Sequence, residues 1–531
     1  NNTVEKQFNV DFCGIIRIEV LHMKQLKIYF TSDLHGYVYP TDYTDTTEKP
    51  MGLLNILSHY QKDGNTLIID AGDTIQGSPF MTFLSTENLE KHPVATVMNQ
   101  GGYDYITLGN HEFNYGYDYL KSYLTNLNAK CLCANIIDKT GILPIASSDI
   151  KVMENGLKVG VIGFTTDFIP IWEKAYNLTN FDVLDTFSSI QKIHDELKPK
   201  VDVLIGIYHG GFEYDLETHE QLSTSSENIA YKICKELQFD LLLTGHQHVP
   251  LQDRDLFGTH IIQTPHNASK YAQVNITVAD DQKLSIHSSL NAVSINPEPH
   301  LYQELMPLET RVQQWLDSPV GYLNVELQPA ERIDMAVNGS LLANFINQIQ
   351  LEVAESDLAC TSFANAIKGF DTSVTVRDIV STYVYPNTLV VLEVTGTVLK
   401  QALEVCASYI HNENGKLSVS RRFLQPKVAH YNYDFFSNVF YTFDLTKPVG
   451  ERVTSMIVND KEVQPEDTFS LVMNNYRSSG VGGYEFFRDC PVIKEIRESN
   501  EEQRERYCDY VKGMIISETN MIKFRKEEPF D

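Results

Sequence analysis

An asparagine carboxamide beside a histidine, Asn110-His111, stands where the apolar run Tyr105-Ile106-Thr107-Leu108 breaks at Gly109. Such a pair offers an oxygen ligand and a catalytic acid within one turn of chain. Four further segments repeat the grammar of a short apolar strand, a glycine or polar break, and then Asp, His or Asn. They are Ile28 to Gly36, Thr66 to Pro79, Val203 to Gly211 and Leu241 to His248, and they carry Asp33, His35, Asp73, His209, His246 and His248. Asp33 and His35 are two residues apart, as are His246 and His248. That spacing predicts side chains on one side of an extended segment. Asp73 follows Asp70-Ala71-Gly72, and a carboxylate placed between two sites can bridge two cations. Open α/β sheets hold their sites beyond the carboxyl ends of their strands, so five such breaks predict a ring of ligands along one sheet edge. Neutral imidazoles, carboxylates and one amide suit Mn, Zn, Fe or Co better than calcium. The expected chemistry is that of a metal cluster.

The elements that must position this ring alternate in type. From Lys24 to about Asn296, strand-like runs alternate with helical patterns, such as Leu53, Leu54, Ile56, Leu57 and Tyr60, or Ile190, Ile193, His194 and Leu197. Covered sheets in a layered α/β domain follow from that alternation. Ser78-Pro79 predicts a helix start after Asp73, and residues 272–295 alternate around Asp280-Asp281 as a hairpin does. Pro297 and Pro299 then punctuate the chain. Leu301 to Asp317 carries Leu305, Leu308, Val312, Trp315 and Leu316 at helical spacing, which predicts a connecting helix. Helical stretches near Ser340–Glu352 and Thr397–Ser408, with the strand-like runs LVVLEVTG, VFYTFDLT, SMIVND and TFSLVMNN, make up a second domain. The expected division is 23–297, a linker helix at 298–319, and 320–531. Met23 directly precedes the first core strand, so residues 1–22 read as a leader or an added extension.

The chain's 531 residues exceed what one core organises. Its 43 basic and 70 acidic residues give a net charge of −27. That balance argues against duplex nucleic acid, which needs a cationic surplus, and leaves room for one cationic phosphate pocket. Eight cysteines show no CxxC pair or regular spacing, so no disulfide framework is expected. No apolar run approaches the ~20 residues of a membrane span. Glu5, Lys6, Asp11, Arg17 and Glu19 interrupt the first residues, unlike a signal peptide. A cytoplasmic location is expected, or an exported one if a signal was removed before Asn1. The oligomeric state is left open.

In order along the chain stand D-x-H at Asp33, G-D-x-x-x-G-S-P at Gly72, G-N-H-E at Gly109, the lone His209, and G-H-x-H at Gly245. This series resembles the calcineurin-like metallophosphoesterase superfamily. The resemblance implies an αββα layered first domain with one metal held by Asp33, His35, Asp73 and His248. It implies a second held by Asp73, Asn110, His209 and His246, with His111 as transition-state stabiliser or general acid. Two such cations can activate a water for in-line attack on phosphorus while neutralising the phosphoryl oxygens. A histidine beside a ligand, yet not itself a ligand, is then placed to protonate the leaving oxygen.

Further on, the segments Tyr383 to Leu389 (YVYPNTL), Tyr431 to Asp434 (YNYD) and Asn474 to Arg477 (NNYR) are similar to the α+β substrate-binding domain of the 5′-nucleotidase group. They are most similar to its 2′,3′-cyclic-nucleotide 2′-phosphodiesterase/3′-nucleotidase branch. The resemblance implies a nucleotide substrate, with Tyr385 and Tyr476 sandwiching the base and Asn475 touching the nucleoside. Arg377 and Lys368 are candidates for phosphate. Two departures bear on the branch: His111-Glu112-Phe113-Asn114 stands where 5′-nucleotidases usually read HEFD, and Gly480-Val481-Gly482-Gly483-Tyr484 where they usually read GGDGF. Asn114 carries no charge to raise the basicity of His111. Both departures favour the cyclic-phosphodiesterase branch. The rival readings are a 5′-nucleotidase or UDP-sugar hydrolase, and a catalytically idle nucleotide-binding protein.

Overall fold

The computed structural model describes residues 3–10, 16–87, 90–281, 283–383, 388–425 and 427–496. The chain forms two compact units, Asn1–Thr310 and Arg311–Asp531, and the division falls within the helix Pro299–Leu316.

The first unit is built on two sheets. In one, the strands Ile16–Thr31, Thr66–Asp70, Tyr105–Ile106, Lys130–Leu132 and Ile145–Ala146 run parallel in that order. The hairpin of Lys270–Val278 and Leu284–Ala292 closes its other side, antiparallel to Ile16–Thr31. In the second sheet, Lys158–Thr165, Val203–His209, Leu241–Thr244 and Thr259–Gln263 run parallel, with antiparallel edge strands Ser148–Val152 and Leu251–Leu256. Strand alternation sorts the apolar side chains. Ile28, Phe30, Leu67 and Ile69 of one sheet share a core with Val159, Val161, Val203, Ile205, Ile207, Leu241 and Leu243 of the other. The opposite face of the second sheet, with Ile162, Leu204, Tyr208 and Leu242, packs Ile190 and Ile233 from the helices Thr186–Leu197 and Ala230–Leu237. Such strands are apolar on both faces because both faces are covered.

The backbone of Thr3–Val10 pairs antiparallel with the first part of Ile16–Thr31, from Thr3 with Met23 to Val10 with Ile16. The expected helix start at Ser78 is present: its side chain accepts from Met81 N as N-cap of Pro79–Leu84. The helix expected around Leu53 spans only Leu53–Leu57, and Tyr60 lies outside it. Tyr60 instead stacks on Tyr29, with ring centroids 4.5 Å apart, so its apolar match to the helical face came from burial in a loop.

The second unit centres on a mixed five-stranded sheet in the order Asp434–Ser437, Leu358–Ser362, Thr468–Asn474, Leu389–Thr395, Val492–Ile496. The helices Leu341–Ala354 and Gly396–Tyr409 belong to it, with Ser340 and Thr395 as their N-caps. The four strand-like runs read from the sequence lie on the strands Leu389–Thr395, Phe440–Phe443, Val453–Val458 and Thr468–Asn474.

Candidate metal centre and active site

The strands Ile16–Thr31, Thr66–Asp70, Tyr105–Ile106, Val203–His209 and Leu241–Thr244 all point their carboxyl ends at one edge, and each delivers candidate ligands there. The reason expected for the Asp-x-His and His-x-His spacings is corrected: neither pair shares a strand face. Asp33 (φ 55°), His35 (φ 49°), Asp73 (φ 56°), His246 (φ 71°) and His248 (φ 60°) are all left-handed. Asp and His tolerate that region better than most residues, and such clusters mark functional sites. The loops therefore curl back beyond the strand ends and turn several side chains inward.

Three overlapping groups of ligand atoms result, each with all atoms within 4.8 Å of one another: Asp33, His35 and His248; His35, Asp73 and His111; Asp73, His209 and His246. Asp33 Oδ1 lies 3.2 Å from His248 Nε2, and Asp73 Oδ2 3.1 Å from His209 Nε2. The Nε2 atoms of His35 and His248 approach to 3.2 Å. Asn110 Oδ1 sits 3.2 Å from His209 Nε2 and 3.0 Å from His246 Nδ1. The far nitrogens are spoken for: His35 Nδ1 by Gln76 O at 2.9 Å, His209 Nδ1 by Ala71 O at 2.7 Å, and His246 Nε2 by Glu227 Oε1 at 2.9 Å. Outer partners of this kind fix imidazole tautomers so that the inner nitrogens present lone pairs.

Charge is unevenly compensated in this pocket. Burial works to raise Asp73, yet His209 and His111 outweigh it and hold the carboxyl well below its usual range. Burial works to lower His209, and Asp73 outweighs it, lifting the ring to about 10. Burial also brings His35 down to about 4 against the pull of Asp73 and Asp33. Two carboxylates buried to within 1% exposure among converging imidazoles fit divalent cations. Asp33, His35 and His248 would hold one, and Asp73, Asn110, His209 and His246 the other, with Asp73 reaching both. His111 also lies near enough to His35 and Asp73 to be a ligand, with its Nε2 4.0 Å from Asp73 Oδ2.

Several residues besides the expected ligands contribute to the site. Glu112, 1% exposed, accepts from the N–H groups of Gly109, Asp73 and Thr74 at 2.6, 2.8 and 2.6 Å, tying two ligand loops together. Its place inside Asn110-His111-Glu112 was the one available hint. Trp172 stacks on His246 with ring centroids 5.3 Å apart and planes at 28°. Asn114 Oδ1 lies 2.6 Å from His111 Nδ1, and Asn114 Nδ2 donates to Glu173.

In the second unit, Tyr476 lies on the single turn Asn475–Ser478, half-buried, with Tyr431 edge-on at 6.2 Å. Tyr385 falls outside the described residues. Asn475 Oδ1 accepts from Thr388 N at 2.9 Å, so its carboxamide pins the segment that follows the YPN sequence. Arg377 places Nε and Nη2 on Asp317 Oδ1 at 3.0 and 2.6 Å and Nη2 on Gln313 Oε1 at 2.8 Å. Lys368 pairs with Asp378 at 2.9 Å.

Residues 26–250 match the calcineurin-like phosphoesterase family, and residues 319–489 match the 5′-nucleotidase C-terminal domain. The crystal structure of a putative 5′-nucleotidase from Staphylococcus aureus, in complex with alpha-ketoglutarate, is 32% identical, with a TM-score of 0.86 over 94% of this chain and 98% of that one. The chain belongs to the calcineurin-like phosphoesterases that carry a 5′-nucleotidase C-terminal domain. It is therefore a hydrolase of phosphoric esters, from a family that uses divalent metal ions. A 2′,3′-cyclic-nucleotide 2′-phosphodiesterase/3′-nucleotidase of Yersinia enterocolitica is 26% identical over 85% of this chain and 80% of that protein. A 5′-nucleotidase of Vibrio vulnificus is 21% identical over 90% of each. No helix among the described residues is long and apolar enough to cross a membrane.

Proposed function

We propose that the chain opens 2′,3′-cyclic nucleotides to 3′-nucleotides and then dephosphorylates the 3′-nucleotides, with two divalent cations of the Mn, Zn, Fe or Co class as cofactors. The observation that carries this reading is that Asp73 groups with His35 and His111 on one side and with His209 and His246 on the other, while His35 also groups with Asp33 and His248. When bound, a pair of cations supplies neutralisation of the phosphoryl oxygens and an acidified water for in-line attack. The chain's own residues supply the rest. His111, held by Asn114 at Nδ1, turns Nε2 toward the Asp73 side of the cluster and donates the proton that the leaving 2′-oxygen needs as its bond to phosphorus breaks. Tyr476 offers a ring for the base, and Tyr385 a second, while Asn475, next to Tyr476, accepts from Thr388 N and would touch the nucleoside. Asn114 in place of the aspartate of dedicated 5′-nucleotidases, together with the likeness to the Yersinia protein, supports the cyclic-phosphodiesterase branch.

A second reading, hydrolysis of 5′-nucleotides or UDP-sugars, is favoured by the likeness to the Staphylococcus structure. An idle nucleotide-binding protein has no observation in its favour, because every candidate ligand position keeps a donor atom. Either compartment suits this chemistry: Cys131, Cys133, Cys234, Cys360, Cys406 and Cys490 are free thiols, and neither a cytoplasmic nor an exported site conflicts with it. A panel of 2′,3′-cyclic AMP, 3′-AMP, 5′-AMP and UDP-glucose, assayed with added manganese, decides between the readings. The first two should turn over fastest. Preference for 5′-AMP or UDP-glucose selects the second reading.

A further inference from the structure

We propose that Glu173 is a positioning residue for His111, acting through the side chain of Asn114. The proposal rests on His111 being the proton donor to the leaving oxygen. Glu173 precedes Lys174 just after the short helix Ile169–Trp172, whose last residue stacks on His246, so this segment reaches the edge of the metal cluster. There Glu173 Oε2 accepts from Asn114 Nδ2, while Oε1 accepts from Lys174 N at 2.7 Å and Asn177 Nδ2 at 2.9 Å. Asn177 Nδ2 also donates to Asn114 O at 3.2 Å, which holds the backbone of the same residue.

The consequence is a matter of donors and acceptors. An ionised carboxylate only accepts, so the group of Asn114 that faces Glu173 must be its NH2. The carboxamide oxygen is then forced toward His111, where it sits 2.6 Å from Nδ1. An oxygen there requires Nδ1 to carry hydrogen and leaves Nε2 as the working nitrogen. Rotating the carboxamide by half a turn would present NH2 to Nδ1 and make that nitrogen an acceptor. The doubly hydrogenated ring would then have no acceptor at Nδ1, and donation from Nε2 would suffer. Glu173 is the group that excludes the rotated state. The pairing also accounts for Asn at 114: an aspartate there would set two carboxylates in direct contact, whereas an amide passes the orientation outward to a carboxylate placed one residue further off.

The test uses the metal-loaded full chain and two esters that differ in leaving group, methyl phenyl phosphate and methyl p-nitrophenyl phosphate. The phenolate of the first needs protonation far more than the second. For Glu173→Leu, turnover of the phenyl ester should fall about 10–100-fold, while that of the p-nitrophenyl ester stays within about threefold. Bound metal should be unchanged. The exchanged pair, Asn114→Asp with Glu173→Gln, should recover most of the phenyl-ester rate. Its introduced amide can donate to the introduced carboxylate, which still accepts from His111 Nδ1. Equal losses on both esters, no loss on either, or no recovery in the exchanged pair would overturn the proposal. His111→Asn run beside them separates the two layers. If it also lacks the leaving-group dependence, the reading of His111 as proton donor fails as well. If it shows that dependence and Glu173→Leu does not, only Glu173 is misassigned.

Discussion

Asp73 and His111 sit side by side, with His111 N donating to Asp73 Oδ1 at 2.8 Å, yet their work differs. Asp73 groups with His35 on one side and with His209 and His246 on the other, so Asp73→Asn should lower turnover by several orders of magnitude together with bound metal. His111→Asn should keep the metal and lose about 10²–10⁴ in rate, the span of general acid catalysis. Metal content of the two purified variants decides between them, and a metal-free His111 variant would make that histidine a ligand. Asp70 illustrates a different residue-level effect. Burial, helped by the charge of Glu112, pushes its carboxyl up to about 7, against hydrogen bonds accepted from Thr31, Thr74 and Gly72. A raised carboxyl stabilises the fold while protonated, so its contribution is complete below about pH 4 and is lost as pH rises to about 7. Over that interval the metal-stripped wild type should lose up to about 4 kcal/mol relative to Asp70→Asn, from a shift of about three units. Denaturant melts of both proteins at pH 4.5 and 7.5 measure it, and parallel stabilities would contradict it.

The strand ends are where sequence and structure agree on place and disagree on geometry. Apolar runs ending in Gly, Asp, His or Asn were legible because a parallel strand covered on both faces must be apolar along its length, and polar residues then appear only where it stops. The left-handed turns at Asp33, His35, Asp73, His246 and His248 were not legible, because Asp and His carry no obligatory backbone preference as proline does. Nor were Glu173 and Glu227, whose partners Asn114 and His246 lie 59 and 19 residues away; local pattern does not say which loops meet. Glycine is informative where loops touch. A Cβ on Gly109 would lie 2.2 Å from Asp73 Oδ1, and one on Gly72, at φ +88°, 2.3 Å from Gly109 N. Glu112 bridges the same two loops. Glu112→Gln should therefore cost about 3 kcal/mol, since an amide cannot accept at both ends from the N–H groups it faces. Hydrogen exchange at Gly109, Asp73 and Thr74 should speed up in that variant, and unchanged protection would show that the loops hold without it.

At the scale of the chain, the two units carry separable tasks, and the second is the less legible. Its YNYD and NNYR segments owe part of their composition to structure: Arg477, 1% exposed, pairs with Asp434 at 2.6 Å and donates to Val481 O and Tyr431 O. That buried pair sets the turn bearing Tyr476, whose half-buried ring is the one proposed to meet the base. Base stacking on one ring is worth ~1–3 kcal/mol, so Tyr476→Ala should cut kcat/KM for nucleotides about tenfold or more and spare bis-p-nitrophenyl phosphate. Equal losses on both substrates would make the tyrosine structural. The first unit is tested by metal alone. The chain would be stripped with chelator, returned to metal-free buffer, and titrated with manganese while 2′,3′-cyclic AMP hydrolysis is followed. No turnover is predicted without metal, and a rate that climbs until two ions are bound per chain; undiminished hydrolysis by the stripped protein, or none at any loading, would contradict a dimetal centre.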